Sequence, residues 1–313
     1  MARFAAITID VDSIRHYRDI HGLPPVDADE DPIYTVALPR FWELLSNAGL
    51  PATLFVIGAD GPGHPEAFAP VVPTGSEVAS HSFSHDYRLT QRSPGAIEDD
   101  LRRADATLRP LNGDRPLVGF RAPGYNITRE VLQVVAKLGY RYDSSFLPAP
   151  LYWSARAAAI RAYQALGRPS RSLTGSLRQF SGSLRPRRIR PESPFVASSD
   201  GPLIEFPMAC EPLTRFPLIG TSWTTLPARA RDLMLTATLR RLDCLVFEMH
   251  AIDLLDGTDH PDLGPLAEAQ RDLRVPTRAK MSAFEGLFRR LANAAEVRTL
   301  ADLSTQPGPT LNP

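Results

Sequence analysis

Short apolar runs recur along the first half of the chain, and between them apolar residues fall at the three-to-four spacing of an amphipathic helix. Residues 3–9 read as a buried strand, and 34–47 as a helix stopped by Gly49. Further strands are expected at 52–57 and 77–80, with a short helix near 66–72 between them. At 93–111 a serine in the capping position and a proline in the first turn precede apolar residues at helical spacing. Then come a strand at 117–120, a helix at 128–138 closed by Gly139, and a strand at 141–143. Such alternation predicts parallel βαβ units. The rhythm breaks over 147–202, where residues 153–167 suit an amphipathic helix and 168–191 read as a long loop or lid. It resumes with a strand at 203–206, a helix at 228–242, a strand at 245–249, a helix at 278–294 and a last strand near 297–300. The pattern predicts one domain over 1–303 and a disordered tail over 304–313, with no internal repeat.

The polar residues that follow these apolar runs carry the chemistry. Asp10 and Asp12 end the first strand with Val11 between them, so strand geometry sends both carboxylates to one face. His81 and His85 follow the strand at 77–80, Arg121 follows that at 117–120, Asp143 closes YRYD, and His250 ends CLVFEMH. Strand C-termini bearing carboxylate, imidazole and guanidinium groups predict one site at the mouth of a parallel barrel. Two imidazoles and a carboxylate make a metal shell, although the His-x-x-x-His spacing alone is weak evidence. Adjacent carboxylates repel, and a cation on one of them frees the other for proton transfer. Asp143 is a candidate to fix a histidine tautomer. His16 and His21 are expected at the surface.

Composition narrows the reading less. The 313 residues are 43% hydrophobic, enough for a sizeable core. Formal charge is zero, which gives no electrostatic case for nucleic acid. Lysine occurs only at 137 and 280, a bias toward arginine that codon usage explains more simply than function. Cys210 and Cys244 lie far apart in or beside apolar runs and read as core thiols. A strand that starts within a few residues of Met1 leaves no room for a leader peptide, and no apolar run suits a bilayer span, so a cytoplasmic protein is expected. Residues 153–191 hold no acidic residue. That segment is either a solvated insertion or, across 150–195, a surface for anionic headgroups or a phosphorylated substrate.

Taken in order, these motifs resemble the polysaccharide deacetylases of carbohydrate esterase family 4, the NodB homology domain. TIDVDS resembles the family's acidic motif, the two histidines its H-x-x-x-H motif, RAPGY its arginine motif, and VFEMH its last histidine motif; YDSSF meets the fourth motif only in part, since no tryptophan follows. The resemblance implies an α/β fold, a distorted (β/α) barrel with a basic insertion at 147–202. It implies Asp10 as catalytic base, Asp12, His81 and His85 as ligands of a divalent metal (zinc first), Arg121 orienting the base, and His250 as general acid. Tyr125 would line the groove, with a backbone N–H near it holding the oxyanion. The expected reaction removes an N-acyl group, foremost acetyl, from an amino sugar or glycan intermediate. Alternatives are a lipid-linked amino-sugar deformylase or deacetylase at the cytoplasmic membrane face, a small-amide hydrolase, and an inactive carbohydrate-binding module.

Overall fold

The computed structural model describes residues 4–25, 30–165 and 182–306 of the chain. Among the described residues nine strands form one sheet: β1 Phe4–Val11, β2 Thr53–Val56, β3 Glu77–Ser80, β4 Gly119–Phe120, β5 Tyr142–Asp143, β6 Arg187–Ile189, β7 Leu203–Glu205, β8 Cys244–His250 and β9 Glu296–Val297. The order is β6-β7-β5-β4-β3-β2-β1-β8, with β9 against the start of β1. Every pairing is parallel except β6 with β7. The sheet curls into a distorted barrel whose last gap, between β7 and β8, is bridged irregularly. There the Ala209 N–H donates to the Val246 carbonyl at 2.8 Å, and Ile219 makes an isolated bridge with Glu248.

Two-residue alternation sorts the strands' side chains into two cores. Ala5, Ile7, Ile9, Leu54, Val56, Val78, Phe120, Leu245 and Phe247 face outward into the layer beneath the helices. Ala6, Phe55, Ala79, Tyr142, Ile204, Phe206, Cys244 and Val246 fill the barrel interior. The helices are built to cover the outer layer. Leu38–Ala48 buries Phe41, Leu44 and Leu45, ends at Gly49 in the left-handed region (φ 63°), and sets Phe41 edge-on to Phe288 of Thr277–Ala294. Pro94–Leu108 buries Ile97, Leu101, Ala104 and Leu108, one stripe of its surface, with Ser93 accepting from the Ala96 N–H as its cap.

A short helix, Leu300–Thr305, plugs the N-terminal end of the barrel, with Leu300 and Leu303 entering the interior cluster. This differs from the sequence expectation twice. Residues 296–297 alone pair as a strand, and Ser304 and Thr305 are helical, not the start of a loose tail; 307–313 lie outside the described residues. Apolar spacing around 297–303 fits either state, and burial against the barrel floor decides it.

The 147–202 insertion is partly integrated. Pro150–Ala165 is a helix, and Arg187–Ile189, expected within a lid, adds the antiparallel edge strand to β7. Of the expected lid, 168–181 lies outside the described residues. Among the described residues no helix is long and apolar enough to cross a membrane.

Candidate active site

The alternation that builds the interior core also builds the site. Past Ala6, the inner positions of β1 are Thr8 and Asp10, and Asp12 follows directly. On β8, past Val246, they are Glu248 and His250. His81 continues the inner face of β3, and Arg121 that of β4. All of these lie at the C-terminal end of the barrel. Asp10, Glu248 and Arg121 are fully buried, and Asp12, His81 and His85 nearly so.

Asp10 is gripped on one side only. The Arg121 Nη1–H donates to its Oδ1 at 2.5 Å. The rest of that guanidinium is committed as well: Nη2 donates to Thr8 Oγ1 and Ser144 Oγ at 3.0 Å each, and Nε to the Ser144 carbonyl at 2.8 Å. The group lies over the Phe55 ring, 4.0 Å from its centroid. Burial would push the Asp10 carboxyl up, but Arg121, with His81 and His250, overcomes this and holds it below the ordinary value. The result is an ionised, oriented carboxylate. Its second oxygen, Oδ2, has no hydrogen-bond partner among the described residues and lies 3.9 Å from Nε2 of both His81 and His250.

Asp12, His81 and His85 form a second group. Asp12 Oδ1 lies 3.5 Å from Nε2 of each histidine and accepts no hydrogen bond from the described residues. The His81 Nδ1–H donates to the Arg121 carbonyl at 2.8 Å; a carbonyl can only accept, so the lone pair of Nε2 faces Asp12. Burial holds His81 down to about 4 and His85 well below the imidazole range, so both are neutral. Neither His85 nitrogen has a hydrogen-bond partner among the described residues; the ring is held by packing, edge-on to His16 (4.5 Å) and Tyr87 (5.1 Å). Burial raises Asp12 to about 7 against the attraction of His250, and the repulsion of Asp10, Asp60 and Glu248 adds smaller shares in the same direction.

Orphaned lone pairs on one carboxylate and two neutral imidazoles, all within 4.8 Å of one another, are what a divalent cation would satisfy. These residues fit a metal. The backbone is strained where it carries them: His85 (φ 51°), Ser82 (φ 64°) and Tyr125 (φ 63°) are non-glycine residues in the left-handed region. The Ser82–His85 turn is tied down by Asp100 of the helix Pro94–Leu108, which accepts from the N–H groups of Phe83 and Ser84 and from Ser84 Oγ.

His250 completes the group. Its Nε2 lies 4.0 Å from Asp12 Oδ2 and 3.4 Å from Tyr125 Oη, its Nδ1 lies 2.9 Å from Glu248, and its N–H donates to Asp253. Burial would strip its proton, yet Glu248, followed by Asp10 and Asp12, holds the imidazolium well above the ordinary value.

Two expectations need correction, and a third, a backbone N–H near Tyr125 for the oxyanion, loses one candidate. Asp143 fixes no histidine tautomer. It lies on the outward face of β5, accepts from Ser145 Oγ at 2.7 Å and sits opposite Glu205, while its neighbour Ser144 points inward to Arg121. Strand parity decides this: of two consecutive residues only one can face the site. The Tyr125 N–H is not free for an oxyanion, since it donates to the Ala122 carbonyl at 2.9 Å. His16 is not at the surface either. It is half-buried, 2.9 Å from Asp60 Oδ2 and packed on His85.

Sequence reasoning also missed Thr8, Ser144 and Glu248. Period-two counting back from Asp10 and His250 would have found the first and last. Ser144 carries no signal beyond its place after a strand.

With the geometry in place, comparisons with known proteins become informative. Residues 29–142 match the polysaccharide deacetylase family profile, a span holding His81, His85 and Arg121. Over that span the chain is similar to the polysaccharide deacetylases. A chitooligosaccharide deacetylase of Bradyrhizobium sp. is 30% identical over 144 residues, 45% of this chain and 60% of that one. A peptidoglycan deacetylase-like protein of Gibberella zeae is 31% identical over 112 residues, 35% of this chain and 32% of that one. The chain thus spans between about a third and three fifths of these relatives. A Mycobacterium smegmatis structure, described provisionally as a polysaccharide deacetylase, superposes with a TM-score of 0.58 at 17% identity. That match covers 97% of this chain and 90% of that one and speaks to the fold.

Proposed function

We propose that this protein is a metal-dependent hydrolase that removes an N-acyl group, foremost acetyl, from an amino sugar of a glycan or sugar conjugate. The observation that carries the reading is the pairing of two unlike groups at one barrel mouth. One is a cation-shaped gap between Asp12, His81 and His85; the other is an ionised Asp10 with one free oxygen beside a protonated His250.

Asp12, His81 and His85 would hold the ion, zinc being the best match to a nitrogen-rich set. When bound, such an ion polarises a carbonyl oxygen and lowers a water's pKa from about 15.7 to about 7. The chain's own residues do the rest. Asp10, fixed by Arg121, takes the proton of the water that attacks the acyl carbon through its free Oδ2. His250 gives its Nε2 proton to the amide nitrogen as the carbon–nitrogen bond breaks, so that a neutral amine departs. Tyr125, buried beside His250, forms one wall of the groove.

The test is acetate and formate release from free, nucleotide-linked and lipid-linked N-acyl amino sugars by the zinc-reconstituted protein, beside its Asp10→Asn variant. Release from at least one sugar class is expected, with turnover down about 10²–10⁴-fold in the variant and zinc content unchanged. A fully active Asp10→Asn protein would overturn the base assignment, and silence across the panel the substrate class. The lipid-linked arm also tests an anionic carrier. That second reading draws support from Arg156, on the helix Pro150–Ala165, whose Nη1 donates to the Gly124 carbonyl beside the mouth.

A further inference from the structure

We propose that Glu248 is a positioning residue for His250, holding the ring by Nδ1 so that the Nε2–H faces the nitrogen of the bond being cleaved. The inference rests on the deacetylase reading and adds a part to it.

Glu248 lies two residues before His250 on the inner face of β8 and is fully buried. Its Oε1 sits 2.9 Å from His250 Nδ1 in an ion-pair contact, and among the described residues neither carboxylate oxygen has a hydrogen-bond partner. A buried carboxylate without donors costs several kcal/mol unless a cation faces it. Arg121 also senses its charge, but every hydrogen bond of that guanidinium goes to Asp10, Thr8 or Ser144. His250 is therefore the group that Glu248 serves. The two ends of the imidazole are thereby divided: Nδ1 is held from inside the barrel, while Nε2 looks into the mouth beside Tyr125 Oη. The His250 N–H bond to Asp253 at 2.9 Å fixes the backbone, leaving ring rotation as the freedom that Glu248 removes.

The proton inventory follows. As the general acid of the proposed reaction, His250 enters the step as an imidazolium. Its Nε2 proton goes to the amide nitrogen, which also receives the electron pair of the breaking carbon–nitrogen bond. The ring remains neutral with its other proton on Nδ1 toward Glu248, and solvent restores the Nε2 proton after the amine leaves. A leaving group that departs without protonation has no need of this device.

The contrast supplies the experiment. Zinc-reconstituted wild type, Glu248→Gln and Glu248→Ala are assayed on an N-acetyl amino-sugar amide and on 4-nitrophenyl acetate, whose phenolate leaves unprotonated. Zinc content is measured alongside, and the ¹⁵N resonances of the His250 ring are compared. For Glu248→Ala the amide kcat should fall about 10²-fold or more with KM little changed, and the ester rate less than about threefold. Glu248→Gln, which keeps an acceptor without the charge, should fall between. Equal losses on both substrates would reduce Glu248 to a structural part and overturn the proposal. Loss of zinc would overturn it too, since Asp10, Glu248 and His250 are close enough to share an ion themselves. The ring resonances need no substrate. If they are unchanged in Glu248→Ala the positioning role falls, and if they shift while no amide is cleaved, the deacetylase reading fails and the positioning role stands.

Discussion

The two ends of the barrel interior each bury a carboxylate on the inner face, and they treat it in opposite ways. At the floor, Glu77 Oε1 accepts from Thr53 Oγ1 (2.7 Å), Tyr142 Oη (3.0 Å) and the Ala301 N–H (2.8 Å), the last at the N-terminus of the plugging helix. At the mouth, Asp12 Oδ1 has no donor among the described residues. Burial dominates both, raising Glu77 to about 6 and Asp12 to about 7. The floor carboxylate ties two strands to the plug by fixed hydrogen bonds. The mouth carboxylate is denied them and left facing two lone pairs. A fold gains nothing from such an arrangement by itself, so the difference marks where an exchangeable cation belongs.

The largest expected effect separates the two ends by activity. Asp12→Asn and His81→Ala should lose stoichiometric zinc and lower deacetylation by at least about 10³-fold, whereas Glu77→Gln should keep both within severalfold. Zinc analysis with single-turnover rates checks this, and a Glu77 variant as inactive as the Asp12 variant would erase the contrast. Stability should move the other way. Above pH 7 the metal-free protein must ionise Asp12 without a donor, so metal-free Asp12→Asn should unfold at higher urea than metal-free wild type, by about 3–4 kcal/mol. Excess zinc should reverse that order. An Asp12→Asn protein no more stable than wild type without zinc would mean that the mouth is not strained by its own carboxylate.

The uneven legibility of the sequence has the same physical origin. Strands β1, β2 and β8 announce themselves because mostly apolar runs are what a sheet buried on both faces requires. The residues just past those runs were readable too, since the period-two rule carries the inner face forward to Asp10, Asp12 and His250. Where strands shorten to two residues, as at β4 and β5, parity has nothing to count from, and Asp143 was assigned to the wrong face. Ser144, which carries out the contact, has no composition signal. The plug at Leu300–Thr305 and the edge strand Arg187–Ile189 escaped for another reason. Their state is set by partners some 225 to 250 residues away in one case and by β7 pairing in the other, neither visible in a local window.

A next, smaller effect concerns Arg121, the bridge between Asp10 and the β4–β5 side of the mouth. Arg121→Met should cost about 3–5 kcal/mol by leaving Asp10 buried and unpaired, and Asp10→Asn in the same chain should restore a good part of it. Urea unfolding of the double-mutant cycle measures the coupling. Additive losses would mean that the guanidinium serves Thr8 and Ser144 more than the carboxylate. No comparable coupling should link Arg121 to Glu77 at the floor.

The smallest effect is a titration at the floor, and its sign follows from the raised Glu77 carboxyl. Folded Glu77 keeps its proton up to about pH 6, while the unfolded chain releases it near 4.5. Between those values the unfolded state binds fewer protons, so wild-type stability declines as pH rises through the window and levels off above it. Glu77→Gln has no such proton to lose. The stability difference between the two proteins should therefore shift by about 2 kcal/mol in favour of the variant from pH 4 to pH 7.5. Because the hydrogen bonds at the floor are permanent, zinc should leave this shift untouched, whereas it should abolish the corresponding dependence of the Asp12→Asn pair. Urea midpoints at both pH values, with and without zinc, decide the matter. A Glu77 shift that zinc removes would place the floor and the mouth in one electrostatic unit, and the division of labour between the two ends of the barrel would have to be abandoned.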